Sequence, residues 1–145
     1  NLMQGFKQAI ENVRIAMGEG AKWRWNFPDM YMNMVRLGRN LLDFKRYERT
    51  KDPMDANYQP LQEYMRFLMD ESQNCAQEFR SKYELSTKNV SELQQIDKIF
   101  AMQKQVYTFT GQKDDLQKIS IALDANKEKI EALMAEKKPG KKKKG

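Results

Sequence analysis

Residues 61–79 read LQEYMRFLMDESQNCAQEF. Leu61, Met65, Leu68, Ser72, Cys75 and Phe79 recur at steps of 4, 3, 4, 3 and 4. An α-helix turns once every 3.6 residues, so these six side chains share one face. A strand would scatter them over both faces. The stretch therefore predicts a long helix with an apolar seam, the pattern of bundle packing. Asp70 and Glu71 read as solvated charge beside it. Cys75 reads as a small core residue.

The same rhythm extends outward in both directions. Leu2, Phe6, Ile10 with Ala9, Val13 and Met17 predict a first helix over 2–17, ended by Gly18-Glu19-Gly20. Asn26 and Pro28 begin a second helix that runs to about Arg49, with Tyr31, Met34, Val35, Leu41 and Leu42 facing inward. The third helix holds the quoted seam and fades near Tyr83–Ser86. Asn89 with Glu92 resembles a capping box and opens a fourth, lined by Leu93, Ile96, Phe100, Gln103 and Tyr107 and closed by Gly111. Asp114 and Asp115 open a fifth, lined by Leu116, Ile119, Leu123, Asn126, Ile130 and Leu133. Ser72, Gln103 and Asn126 on these seams read as fixing helix register. The expected fold is all-α: a compact bundle of about five antiparallel helices over 1–136. A disordered Lys-rich C-terminal tail over 137–145 follows.

Charge separates these two parts. The chain has 26 basic and 20 acidic residues among 145. Six of the lysines are Lys137, Lys138, Lys141, Lys142, Lys143 and Lys144, so 26 − 6 leaves a body of 20 basic against 20 acidic. A tail of this composition, broken by Pro139 and Gly140, attracts anionic surfaces or acts as a solubilising end. A second basic group, Arg36, Arg39, Lys45, Arg46 and Arg49, lies along the second predicted helix. It reads as a cationic track or as a solvated face paired with Asp43 and Glu48.

Both tryptophans fall in one short stretch, where Trp23, Trp25, Phe27, Met30 and Tyr31 are interleaved with Lys22 and Arg24. This cluster either covers the end of the core or meets a water–lipid boundary, where Trp and Tyr concentrate. The chain holds 10 Met, a soft side chain suited to cores and to adaptable surfaces.

Histidine is absent and Cys75 is the single cysteine. The usual general base and the commonest metal ligand are thus missing. The chain also has no Gly-rich phosphate loop. The expectation is a non-enzyme with no cofactor and no metal. Asn1 in the first position admits a processed chain or a fragment. Asn89-Val90-Ser91 matches a glycosylation sequon.

Two regions resemble the abalone sperm lysin family. One is Gly20-Ala21-Lys22-Trp23, followed by an amphipathic helix and Phe44-Lys45-Arg46-Tyr47-Glu48-Arg49. The other is Val106-Tyr107-Thr108-Phe109 with Lys113-Asp114-Asp115, followed by a last amphipathic helix. Helix order and length fit over most of the chain. The neutral body, the aromatic cluster, the methionines and the lysine tail are closer to the fusagenic paralogue than to lysin itself. The resemblance implies a secreted protein of the sperm acrosomal vesicle. Such a protein would bind and perturb membranes and promote sperm–egg fusion without enzymatic action. A lysin-like, non-enzymatic disruption of the egg vitelline envelope is the alternative. An intracellular helical adaptor with a polyanion-binding tail is the second alternative. Expected partners are an anionic membrane surface (the egg plasma membrane), an egg-surface glycoprotein and a second copy of the chain. Nucleic acid is not among them.

Overall fold

The structure is a computed structural model that describes residues 1–18 and 20–137. Among the described residues there is no strand. The helices are α1 (Leu2–Met17), α2 (Ala21–Arg24), α3 (Phe27–Asn40), α4 (Phe44–Arg49), α5 (Tyr58–Lys82), α6 (Val90–Thr110) and α7 (Lys113–Glu136). A π-helical turn, Tyr83–Thr87, follows α5. The chain forms two compact units, Asn1–Glu78 and Phe79–Gly145, each described by itself below.

In the first unit α1 starts with a capping box. Asn1 Oδ1 accepts from the Gln4 backbone N–H, and the Gln4 side chain accepts from the N-terminal ammonium. Gly18 ends it at φ 71°, a left-handed conformation that a Cβ would strain. The core of this unit includes Met3, Ile10, Phe27, Met34, Val35, Met65 and Leu68. The inner face of α1 is therefore turned from the expected one. Ile10 is buried and Met3 joins it, whereas Leu2, Val13 and Met17 are exposed. The turn comes from Lys7 and Arg14, which lie on the line of Met3 and Ile10 and are drawn to carboxylates on α5.

Two ion pairs make that connection. Lys7 Nζ lies 2.6 Å from Glu71 Oε1, and Arg14 Nη1 lies 2.9 Å from Glu78 Oε1. Both ends advance by seven residues in the same sense, so α1 and α5 run parallel. Between them α3 runs antiparallel to each. Arg14 donates to Tyr31 Oη at 3.4 Å, the Cys75 thiol lies 3.8 Å from the Pro28 carbonyl, and Tyr64 Oη donates to the Gly38 carbonyl at 2.5 Å. At Gly38 side chains of α1 and α5 press against the α3 backbone. A Cβ there would stand 2.6 Å from Met3 Sδ and 2.9 Å from Leu68 Cδ1. Glu71, read from the sequence as solvated charge, is 5% exposed.

The second predicted helix is broken. α3 stops at Asn40, and Asp43 caps a separate α4 by accepting from the backbone N–H groups of Lys45 and Arg46. The Asp43 carboxylate satisfies donors that a continuous helix would have bonded to carbonyls four residues back. The break leaves Leu42 buried and Leu41 exposed.

In the second unit Asn89 caps α6 by accepting from the Ser91 N–H. Gly111, at φ 71°, turns the chain directly into α7. Leu93, Ile96, Phe100 and Gln103 are buried on α6, and Ile119, Leu123 and Asn126 on α7, as the seams predict. Val106 takes the inner place expected of Tyr107. Asn126 Nδ2 donates to the Leu93 carbonyl at 2.9 Å, a fixed register point between the two helices. Lys82 Nζ stands 3.4 Å from Glu92 Oε2, an ion pair without hydrogen-bond geometry.

Candidate functional site

The aromatic segment begins where Gly18 has stopped α1. One helical turn, α2, follows, and the Asn26 N–H donates to the Trp23 carbonyl at 3.1 Å. This single turn is too short to bury all of its large side chains. Trp23 stays 42% exposed and Trp25 is half-buried. Lys22 Nζ lies 5.3 Å from the centre of the Trp23 ring, and the Arg24 guanidinium 4.6 Å from that of Trp25. Each cation is held against the negative face of a ring, worth about 0.5–1 kcal/mol at an exposed site.

The five aromatic-cluster residues separate by depth. Phe27 and Tyr31 are core residues, 1% and 9% exposed. They stand four residues apart on α3, in line with the buried Met34 and Val35, so helical period takes them inside. The Arg14 guanidinium lies 5.4 Å from the Phe27 ring centre and closes that end. Phe27 and Tyr31 therefore leave the candidate surface. Trp23 remains on it, with Trp25 and Met30 half-buried beside it in sequence.

The basic group does not form one helical track. Arg36 and Arg39 belong to α3, while Lys45, Arg46 and Arg49 belong to α4, on the other side of the Asp43 break. Arg36, Lys45, Arg46 and Arg49 are exposed. Arg39 is half-buried, with its guanidinium 4.6 Å from the centre of the Phe44 ring. Lys51 pairs with Glu48 at 2.9 Å. In the predicted tail Lys137 is exposed, and Lys138, Lys141, Lys142, Lys143 and Lys144 lie outside the described residues.

Beside these groups the first unit holds a concavity of about 130 Å³ lined by Arg14, Gly18, Arg24 and Phe27, and two larger ones. One, of about 460 Å³, is lined by Leu41, Leu42, Arg46, Pro60, Leu61 and Tyr64 among others. The other, of about 260 Å³, lies over the α1–α5 ion pairs and is lined by Lys7, Glu11, Tyr31, Glu71 and Glu78 among others. The hydrogen bond to Glu71 raises the pKa of Lys7, and that to Glu78 raises the pKa of Arg14. Cys75 is 1% exposed, and burial pushes its thiol up to about 12. A thiol in that state is a poor nucleophile. Among the described residues no group of three or more Cys, Asp or Glu is placed to hold a metal ion.

The TP0443 family model matches residues 1–134, nearly the whole described chain. The chain belongs to the TP0443 family. This is a bacterial, Treponema-type family, and the match replaces the abalone sperm lysin family suggested by the sequence. With it go the fertilization role, the fusion and envelope-opening activities and the sperm acrosomal location. The residues that carried the resemblance explain the error. Gly20–Trp23 is a helical turn after a glycine stop, Phe44–Arg49 is a capped short helix, and Lys113–Asp115 is the first turn of α7. Such features recur wherever amphipathic helices begin and end. Comparison with curated proteins finds no match, and comparison with solved structures finds none either.

The sequence reading also missed residues that matter to this TP0443-family chain. Lys7 and Arg14 are not singled out by it, and Glu71 reads as solvated charge. Their signal is the shared spacing of seven, 7 to 14 on α1 and 71 to 78 on α5, with opposite signs.

Proposed function

We propose that this TP0443-family chain is a non-enzymatic attachment module that holds to an anionic lipid surface through Lys22–Trp25. The observation that supports this reading is the exposed Trp23, with Lys22 and Arg24 drawn over the indole rings. A half-exposed indole beside cations suits the boundary between head groups and water. Basic side chains near an acidic bilayer contribute about 1 kcal/mol each, falling off within a Debye length. Exposed Arg36, Lys45, Arg46 and Arg49 add to the long-range attraction. Glu71 and Glu78 hold Lys7 and Arg14, and the Cys75 thiol is buried. Among the described residues no helix is long and apolar enough to cross a membrane, so the attachment proposed is peripheral.

Sedimentation with phosphatidylglycerol–phosphatidylcholine vesicles tests it. The chain is expected to sediment with them at low salt, to release at about 0.5 M salt, and to show blue-shifted tryptophan emission when bound. Trp23→Ala is expected to weaken binding without changing helical circular dichroism. Equal sedimentation with neutral vesicles, or an unshifted emission, would remove the proposal. Tighter binding to an acidic polypeptide than to the vesicles would remove it too.

A further inference from the structure

Apart from Ile15, which stands on the opposite face and is 79% exposed, the apolar residues of α1 form one continuous sector, of which the fold covers only an edge. At about 100° per residue, Met3 and Ile10 occupy one side of the sector, and both are buried. Lys7 and Arg14 close that side through Glu71 and Glu78. Leu2, Phe6, Ala9, Val13, Ala16 and Met17 occupy the other side. There Leu2 is 63% exposed, Val13 41% and Met17 45%. Ala9 and Ala16 are exposed and Phe6 is half-buried. Gly5 and Asn12 bound this open side, and a Cβ at Gly5 would meet nothing within 4 Å.

The open residues have their own order. Leu2, Phe6, Ala9, Val13 and Ala16 step 4, 3, 4 and 3, the repeat of a two-helix seam. From Phe6 onward, larger and smaller side chains alternate along it. We propose that this face of α1 is a self-association surface, on which a second copy packs its own α1 antiparallel. Phe6 then lies opposite the partner's Ala16, and Ala9 opposite the partner's Val13.

Shape and charge both select this occupant. The numbers 6 and 16, and 9 and 13, have the same sum, so one antiparallel register satisfies both pairings. Each layer between Phe6 and Ala16 then joins a larger side chain to a smaller one, which keeps the helix separation even, and Leu2 lies beyond these layers. A parallel pairing would stack Phe6 on Phe6 and Ala9 on Ala9, giving alternately wide and narrow layers. The stripe and its open edge (Gly5, Asn12) are uncharged, so identical copies meet without like-charge repulsion. A lipid surface fits this face less well than it fits Lys22–Trp25. Interfacial helices flank their apolar face with free cations, and the flanking Lys7 and Arg14 are tied to carboxylates 2.6 and 2.9 Å away. A seam of two heptads lies below the ~1,200 Å² of stable interfaces, so the dimer is expected to depend on concentration.

Sedimentation equilibrium and cysteine cross-linking test the proposal on the full chain. The weight-average mass is expected to rise from 17.2 kDa toward twice that value with concentration. Val13→Lys, at an exposed position, is expected to keep the native circular dichroism and to stay at 17.2 kDa. Ala9→Cys and Val13→Cys chains, mixed and oxidised, are expected to cross-link to each other, while neither does so alone. Buried Cys75 stays silent in this assay. A native chain that is monomeric up to about 0.1 mM, the weak end of specific association, would overturn the inference. Cross-linking of Ala9→Cys to itself would overturn the antiparallel pairing. Protection of α1 by phosphatidylglycerol vesicles, with no dimer in their absence, would overturn self-association in favour of lipid.

Discussion

In the second unit α6 and α7 meet across a turn at Gly111 and Gln112, while in the first α1 meets α5 through residues 64 positions apart. The short turn leaves the hairpin no choice of neighbour. Two helices joined so tightly must lie antiparallel, and each buries the apolar face that its own period defines. α1 has no such tether. Its partner is chosen by Lys7–Glu71 and Arg14–Glu78, and those pairs decide which edge of its apolar sector turns inward. A helix fixed by a local turn shows its inner face plainly. A helix fixed by distant charges can leave half of that face uncovered.

The largest expected effect tests whether the first unit still rests on apolar burial. Phe27→Ala should lower stability by about 4 kcal/mol, because a fully buried ring is lost and a cavity remains. A urea melt measures this, and a loss below about 1 kcal/mol would return Phe27 to the surface.

Next in size is Lys7→Met, which leaves Glu71 as a buried carboxylate without its cation. The expected loss is about 2–3 kcal/mol, below that of a fully buried pair because Lys7 is 30% exposed. The pair also predicts an alkaline dependence. The folded-state pKa of Lys7 is raised, so its contribution is complete below the free value of 10.5 and fades as pH climbs through the raised value. Melts taken upward from pH 9 should show this fall in the native chain and not in Lys7→Met. An identical pH profile for both would mean that the hydrophobic edge alone orients α1.

A smaller effect belongs to the hairpin. Asn126→Ala removes the bond to the Leu93 carbonyl and should cost about 1 kcal/mol, since the turn and the seams still hold the register. A loss as large as that of Lys7→Met would erase the contrast between local and distant fixation. Glu48→Gln should be smallest, within about 0.5 kcal/mol, because the pair with Lys51 is half exposed on both sides.

The legible parts of this chain were those in which one segment contains its own answer. The α5 seam, the α6 and α7 inner faces and the glycine stops at Gly18 and Gly111 all follow from period and backbone freedom. Asp43 misled because a carboxylate serves equally as an ion-pair partner or as a cap. Local sequence does not say whether the chain will bend there. Trp23 and Phe27 illustrate the same limit for the candidate site. Both are large aromatics in one short stretch, yet one is 42% exposed and the other 1%. Phe27 falls on the inner line of α3, while Trp23 sits on a single turn that has no inner line.

The amino-acid order alone determined an all-helical chain, most of its helix ends and a neutral body followed by six lysines. Helical period, capping chemistry and charge counts act within a few residues and need no distant partner. Only the tertiary structure decided that Lys7 and Arg14 face Glu71 and Glu78, and that Phe27 is interior and Trp23 is not. It also decided that the open edge of α1 lies bare. Those outcomes depend on which surfaces meet across long stretches of chain, where several pairings have similar apolar gain and a few charged contacts choose among them.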